Sequence, residues 1–370
     1  MKKTTMPMTE LGATGLRVSR LGLGGFHQLE ISSEIVEHVV DAFLEVGGTY
    51  IETARSYGHG ASETKLGRAL KGRRDQVVLA SKSGVRDGEG IRRELEASLE
   101  TLQTDHIDFY FFHGVNTIED LDTITGPGGA LEALLKARDE GLIKGMGFSS
   151  HRPPELYIEA IKRIPLSVIL IWDNYLEELY VPEIQQDVYP LARDHGVGIT
   201  AMKPLADGFL YRSAIPALRY ALGSGSEVLI CGMNRPEHVY EAAKALDAGA
   251  YNKQERARLL RDAPELGNYV CRQCGVCSED LMAMFRLEGY VDRQMIDYLP
   301  RDPADYALRT RLAHWFDLGD IARQRFAESG WDVEALRKES ETRECPYGID
   351  VARKFELTLA KLRDEPTNVL

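Results

Sequence analysis

The chain is poor in cysteine, with five in 370 residues. That excludes the disulfide framework of a small secreted domain, so cysteines that cluster point to ligation rather than cross-linking. No run of roughly 18 or more apolar residues occurs, so no membrane-spanning helix is expected. The start, Met1-Lys2-Lys3-Thr4-Thr5-Met6-Pro7, lacks the apolar stretch of a secretory leader, and the expected location is cytoplasmic. Positive charge is in deficit: 57 Asp and Glu against 45 Lys and Arg give a formal net charge of −12. That balance argues against nucleic acid or an anionic membrane surface as a general partner. Low-complexity segments and short internal repeats are also missing. With 44% hydrophobic and 28% charged residues, the composition is that of a soluble globular protein.

What the sequence does have is length and rhythm. It exceeds the roughly 250 residues of a (β/α)8 barrel by about a hundred. A small hairpin is expected from Leu11 to Val18 with Gly15 in its turn, followed by a strand at Arg20-Leu21-Gly22-Leu23-Gly24-Gly25. Gly22-x-Gly24 lacks the third glycine and the downstream acid of a dinucleotide fingerprint, so it reads as a strand entering a tight turn. Further strands are expected at 49–52, 77–82, 107–113, 143–148, 167–171, 197–202 and 227–231. The helices between them are marked by Ser32 and Pro153-Pro154 at starts and by Gly47-Gly48 and Gly141 at ends. Eight βα units imply a parallel sheet closed on itself. The expected fold is α/β: a TIM barrel over residues 1–250, then a helical domain over 251–370.

One stretch carries chemistry. Thr49-Tyr50-Ile51-Glu52-Thr53-Ala54-Arg55-Ser56-Tyr57-Gly58, continuing to Ser62-Glu63 and Leu66-Gly67, ends a strand on an acid and presents a tyrosine five residues on; Ser62-Glu63 then opens a helix. Lys82 ends the following strand, and His113 follows the aromatic strand Ile107-Asp108-Phe109-Tyr110-Phe111-Phe112. In a parallel barrel the carboxyl ends of strands hold the active site. Reducing a carbonyl by hydride requires a proton donor, and a tyrosine of pKa near ~10 is a poor one until a cation favours its phenolate. Lys82 supplies the cation, Glu52 fixes Lys82, and His113 is placed to hydrogen-bond a carbonyl oxygen. Alone, each has a bland reading as a packing tyrosine or core histidine. Four of them at the ends of three strands make a pattern.

That pattern resembles the aldo-keto reductase signature, D-T-A, Y-G, S-E and L-G, and the family's Asp-Tyr-Lys-His tetrad, with Glu52 in place of the aspartate. The resemblance runs over most of residues 11–250. It implies an oxidoreductase that interconverts a small-molecule carbonyl and alcohol using NADP or NAD. Gly145-Met146-Gly147-Phe148-Ser149-Ser150 is similar to the family's G-x-G-x-S motif, which implies that Ser149, with Ser150 beside it, meets the nicotinamide amide. Met202-Lys203-Pro204-Leu205-Ala206-Asp207-Gly208 is similar to its P-L-x-x-G motif. Gly232-Met233-Asn234-Arg235-Pro236-Glu237-His238, through Glu241, corresponds to the loop and helix N-terminus that hold the adenosine half, a suitable place for a phosphate. The implied cofactor contacts are therefore Ser149, Ser150, Lys203, Pro204, Leu205, Gly232, Met233, Asn234, Arg235, His238 and Glu241. Several positions depart from the family. Glu52 is longer than Asp by one carbon–carbon bond, roughly 1.5 Å. Leu170 replaces a glutamine, Asp173 an aromatic, and Met202 a tyrosine. Gly232 and Met233 replace basic and hydroxyl residues, which leaves the choice between NADP and NAD open.

Four of the five cysteines form a second pattern, Cys271-x2-Cys274-x2-Cys277 and then Cys345-Pro346, the elements of a bacterial [4Fe-4S] site. A structural zinc site is the alternative, although zinc sites usually arrive as two C-x2-C pairs. A branch of aldo-keto reductases carries such a motif at its C-terminus, and Gly348-Ile349-Asp350 resembles that branch as well. Here residues 278–344 intervene. The insert is expected to be helical at Leu281–Glu288 and Tyr306–Leu318, and it holds Trp315 and Trp331. Its expected role is a helical cover, with pocket closure or partner docking as the alternative. Two further readings of the whole chain stay open: a nicotinamide-binding redox sensor, and a relay in which the cluster passes electrons to a partner.

Overall fold

The computed structural model describes residues 6–292 and 318–365. A hairpin of β1 (Met8–Glu10) and β2 (Arg17–Ser19) precedes eight parallel strands: β3 (Leu21–Gly24), β4 (Tyr50–Glu52), β5 (Val78–Ser83), β6 (Ile107–Phe112), β7 (Ile143–Ser149), β8 (Val168–Trp172), β9 (Gly198–Met202) and β10 (Val228–Gly232). They pair in sequence order, and β10 closes onto β3 with Leu229 opposite Leu21, so the sheet is a closed barrel. This agrees with the expected strands to within one or two residues at each end.

The strands are buried along nearly their whole length, as parallel strands covered by helices must be. Tyr50, Ala80, Phe109, Phe111, Val168, Leu170, Val228 and Ile230 pack together in one core with Leu11 and Val18 of the hairpin. The hairpin meets the start of β9, where Ala13 N–H donates to the Gly196 carbonyl at 2.7 Å. It thereby stoppers the amino-terminal end of the barrel and leaves the carboxyl end for the site.

The helices begin where their caps dictate. Ser32 accepts from Ile35 N–H ahead of Ser33–Glu45, and Asp87 accepts from Gly90 N–H ahead of Gly88–Leu102. Ser62 and Glu63, expected to open a helix, lie inside the first turn of Ala61–Ala69, whose N-cap is Gly60. Their side chains are spent on tertiary contacts instead. A helix at Ile118–Thr125 was not expected from the sequence.

The chain divides into two compact units. The first is Met1–Asn174, Glu183–Leu205 and Ser213–Tyr251, and the second is Tyr175–Pro182, Ala206–Arg212 and Asn252–Leu370. Among its described residues the second unit contains no strand and has helices at Lys253–Asp262, Glu279–Asp292, Gly319–Glu328, Val333–Thr342 and Val351–Leu362. The expected helix at Leu281–Glu288 falls within the second of these. The one expected at Tyr306–Leu318 lies, apart from Leu318, outside the described residues, as does Trp315. Trp331 packs beside Phe326, ring centroids 6.2 Å apart. No helix among the described residues is long and apolar enough to cross a membrane.

Candidate active site

The signature stretch folds as it does because its polar residues satisfy one another. Ser62 Oγ donates to the Gly25 carbonyl at 2.7 Å and lies 2.8 Å from Thr53 Oγ1. Glu63, fully buried, accepts from Ser81 Oγ at 2.6 Å and from Arg55 at 3.3 Å. Gly25 N–H donates to the Glu52 carbonyl at 2.7 Å, and Arg55 N–H to the Lys82 carbonyl at 2.9 Å. These bonds tie β3, β4 and β5 together at their carboxyl ends and aim the loop that carries Tyr57. That loop turns through Gly58, His59 and Gly60, all in the left-handed region.

The four expected catalytic residues converge. Lys82 Nζ pairs with the Glu52 carboxylate, donates to the Thr53 carbonyl at 2.7 Å and stands 3.4 Å from Tyr57 Oη. Lys82 is fully buried and Glu52 nearly so. Burial pulls the Lys82 ammonium well below its ordinary value. The adjacent carboxylate and carbonyl oppose that pull, since a buried lysine persists as a cation only beside such acceptors. The extra carbon–carbon bond of Glu52 is therefore accommodated without loss of the pair.

His113 closes the group from β6. Its ring meets that of Tyr57 edge to face, centroids 5.8 Å apart, and its Nδ1 lies 3.3 Å from Ser56 Oγ. Burial, assisted by the nearby Lys82 and Arg86 charges, lowers its pKa to about 3, so the imidazole is neutral at ordinary pH. Phe26 lies edge to face against the other side of the Tyr57 ring at 5.2 Å. The tyrosine hydroxyl is thus held between an ammonium–carboxylate pair and a neutral imidazole, a set able to give or take one proton.

The expected cofactor residues fall into three groups. Ser149 and Ser150 end β7 and are buried. Ser149 Oγ lies near Gly114 N–H, at 3.4 Å, while Ser150 Oγ accepts from Arg152 N–H at 3.0 Å within its own turn. Lys203, Pro204 and Leu205 follow β9. Lys203 has a φ of +60°, and its carbonyl accepts from Asn174 at 3.1 Å. Gly232, Met233, Asn234 and Arg235 link β10 to the helix Pro236–Asp247, on whose exposed first turns His238 and Glu241 stand.

Several residues that hold the site in place carry no sequence signal. The short turn Phe26–Glu30 braces the Gly232–Arg235 loop. Gln28 is fully buried and donates from Nε2 to the Met233 carbonyl at 2.8 Å, Glu30 accepts from Asn234 at 3.0 Å, and His27 packs where a Cβ on Gly232 would stand. Lys65 caps this turn with bonds to the Gln28 and Ile31 carbonyls at 2.9 and 2.6 Å. Arg86 holds the His113 and Gly114 carbonyls at 2.9 and 2.8 Å. Of these, Lys65, inside the signature stretch beside Leu66, and Arg86, four residues after Lys82, sit close enough to the motifs to have been suspected.

The sequence model of the aldo/keto reductase family matches residues 20–216, more than half of the chain. The chain belongs to this family. An uncharacterized oxidoreductase of Bacillus subtilis, YrpG, is 33% identical over 232 residues, covering 57% of this chain and 70% of that protein. Among solved structures, the holo form of an aldo-keto reductase from Bacillus halodurans superposes with a TM-score of 0.59 at 28% identity, over 69% of this chain and 95% of that one. An aldo-keto reductase from Klebsiella pneumoniae, solved in complex with NADPH, superposes with a TM-score of 0.57 at 26% identity, over 71% and 96%. This aldo-keto reductase is an NAD(P)H-dependent oxidoreductase. Asp173, where it departs from the family's aromatic, is fully buried and accepts from Tyr189 at 2.7 Å, from Gln185 at 3.0 Å and from Ser224, so the acid serves to brace the end of β8.

Four of the five cysteines lie beyond the matched segment, in the second unit. Cys271, Cys274, Cys277 and Cys345 are all unpaired and line one cavity, together with Met282, Phe285, Ile349 and Val351. Among the described residues no three His, Cys, Asp or Glu side chains close into a metal-ligating arrangement. Burial first, then repulsion between neighbouring thiolates, pushes the Cys271 thiol up and that of Cys277 to about 11. In the same unit, Glu288 is buried between Lys354 and Lys361 and accepts from Tyr269 Oη at 2.6 Å. The fifth cysteine, Cys231, is buried in β10 apart from this group, and burial raises its thiol to about 12.

Proposed function

We propose that this aldo-keto reductase interconverts a small carbonyl compound and its alcohol, with Tyr57 as the proton donor and acceptor. The observation that carries the reading is the 3.4 Å approach of Lys82 Nζ to Tyr57 Oη within a pair closed by Glu52. A nicotinamide bound beside Tyr57 would supply the hydride in one direction and accept it in the other. Tyr57 gives its hydroxyl proton to the oxygen on which negative charge develops. Lys82 stabilises the phenolate left behind, Glu52 keeps Lys82 in place, and neutral His113 donates a hydrogen bond that orients the carbonyl. Turning the reaction round returns the proton to Tyr57.

The residues between β10 and its helix fit a dinucleotide. The loop is exposed at Gly232 and Arg235, it leads into a helix N-terminus suited to phosphate, and the buried Gln28 Oε1 behind it has no partner among the described residues. The NADPH complex of the Klebsiella relative supports a phosphorylated dinucleotide, with Ser149, Ser150, Lys203, Pro204, Leu205, Met233, Asn234, His238 and Glu241 as further contacts. In the second unit the four cysteines fit a [4Fe-4S] cluster: four free thiols face one cavity with apolar walls, the setting in which thiolate-bound iron–sulfur sites are found. Iron, sulfide and zinc analysis of anaerobically purified protein decides between that cluster and zinc. Whether the cluster passes electrons to a partner depends on its being reducible.

Tyr57→Phe tests the assignment. Steady-state turnover with a panel of aldehydes is expected to fall by at least about 10²-fold, the usual worth of a positioned proton donor. Dinucleotide affinity, read by quenching of protein fluorescence, is expected to stay within about twofold. Turnover at the wild-type rate would remove Tyr57 from the role.

A further inference from the structure

We propose that Arg272 is the charge partner of the four-cysteine site and raises its reduction potential. The proposal rests on reading Cys271, Cys274, Cys277 and Cys345 as [4Fe-4S] ligands.

Arg272 lies between the first two of these cysteines and lines the same cavity. Its guanidinium makes four hydrogen bonds, all to neutral groups. Nε donates to the Leu260 carbonyl at 3.4 Å, one terminal nitrogen to the Leu266 and Val270 carbonyls at 3.2 and 2.5 Å, and the other to the Gly267 carbonyl at 2.6 Å. Its flat face covers the ring of Tyr347, which also lines the cavity, at 5.2 Å. Among the described residues no carboxylate pairs with it. Lys354 makes the contrast: it is buried nearby and spent on an ion pair with Glu288.

A cation removed in part from water and held by neutral dipoles is costly unless an anion is in reach. Arg272 lines the same cavity as Cys271, Cys274, Cys277 and Cys345, so the anion within its reach is the one their sulfurs form when they bind a cluster. With four of its five N–H donors on main-chain carbonyls, the guanidinium is fixed in place and acts on the site chiefly through its field. A cluster held by four thiolates is anionic, and taking up one electron adds one more negative charge. A fixed cation beside it stabilises the reduced form more than the oxidised form. Arg272 therefore favours uptake of the electron.

The test is a potentiometric dithionite titration of anaerobically purified full-length protein, followed by electron paramagnetic resonance, for wild type, Arg272→Gln and Arg272→Lys. Removing the charge is expected to lower the reduced-to-oxidised ratio at the wild-type midpoint by about tenfold, which is about 59 mV for a one-electron couple. Lysine, keeping the charge without the planar fork, is expected to shift it less. An Arg272→Gln protein with wild-type iron and sulfide content and an unshifted midpoint would overturn the proposal while leaving the cluster in place. Should Arg272→Gln lose its cluster, Arg272→Met decides by the same measure: a midpoint lowered by about tenfold in that ratio supports the field argument, and an unshifted or higher midpoint overturns it. Zinc in place of iron in the wild-type protein, or no metal at all, would overturn the cluster reading and this inference with it.

Discussion

Lys82 has no solvent exposure, and its ammonium is kept by one carboxylate, Glu52, and one carbonyl. Breaking such a buried pair from one side leaves the other charge stranded. Lys82→Met is therefore expected to cost about 3–5 kcal/mol in urea unfolding, as well as all turnover. A loss below about 1 kcal/mol would mean that Glu52 finds another partner or takes up a proton. His113 gives a pH signature. Its folded pKa of about 3 lies below the ordinary 6.5, so the unfolded chain binds the extra proton first. The neutral ring thus contributes stability that is complete above pH 6.5 and declines as the pH falls toward 3. His113→Asn is expected to flatten that part of the stability profile, and the wild-type rate profile is expected to show no limb near 6.5. The gathering of these four side chains was legible from the sequence because the proposed proton transfer calls for such groups at strand ends. Gln28 was not, because its partner Met233 is 205 residues away and an amide bonded to a main-chain carbonyl leaves no motif.

The turn Phe26–Glu30 touches both halves of the site, Phe26 against Tyr57 and Gln28 against the Met233 carbonyl. Lys65 holds it from the neighbouring helix. Lys65→Met is expected to raise the dinucleotide dissociation constant severalfold, by fluorescence quenching, with a stability loss of about 1–3 kcal/mol for the freed carbonyls. Unchanged affinity would show that the turn needs no clamp. At Gly25 a Cβ would stand 2.7 Å from the Glu52 carbonyl, which is backbone and cannot swing aside. Gly25→Ala is accordingly expected to destabilise by about 1–3 kcal/mol and to disturb Glu52 and Lys82 together, seen as lower turnover at unchanged dinucleotide affinity. The barrel's elements were readable because eight apolar strands alternate with capped helices. The helix Ile118–Thr125 escaped because it is a short helix after Thr117, whereas the helix expected to open at Ser62-Glu63 is present as Ala61–Ala69, with those side chains turned to packing.

At the scale of the molecule, the barrel was foreseeable and the arrangement of the second unit was not. Its helices are short and without a repeating pattern, and the chain passes through residues 278–344 between the third and fourth cysteines. The Glu288, Lys354 and Lys361 cluster shows the same difficulty, since three charged residues read from sequence as surface. Burial alone would raise the Glu288 carboxyl, but the two lysines outweigh it and hold it near 2, below the ordinary 4.5. Its contribution is present above pH 4.5 and disappears as the pH falls toward 2. An acid titration followed by near-ultraviolet circular dichroism is expected to show this loss, and Glu288→Gln is expected to be destabilised at pH 7 and less sensitive to acid.

The long detour between Cys277 and Cys345 also makes the cysteine cavity a knot in the chain's entropy. Whatever joins the four sulfurs closes a loop of about seventy residues, and closing a loop of that length removes several kcal/mol of freedom from the unfolded chain. Filling the site and holding the second unit folded then become one event. Protein treated with a chelator, or exposed to air until its thiols oxidise, is expected to be cut by protease within residues 252–365 well before the barrel is touched. The cavity would then serve as a timer on the molecule's lifetime as much as a part of its chemistry.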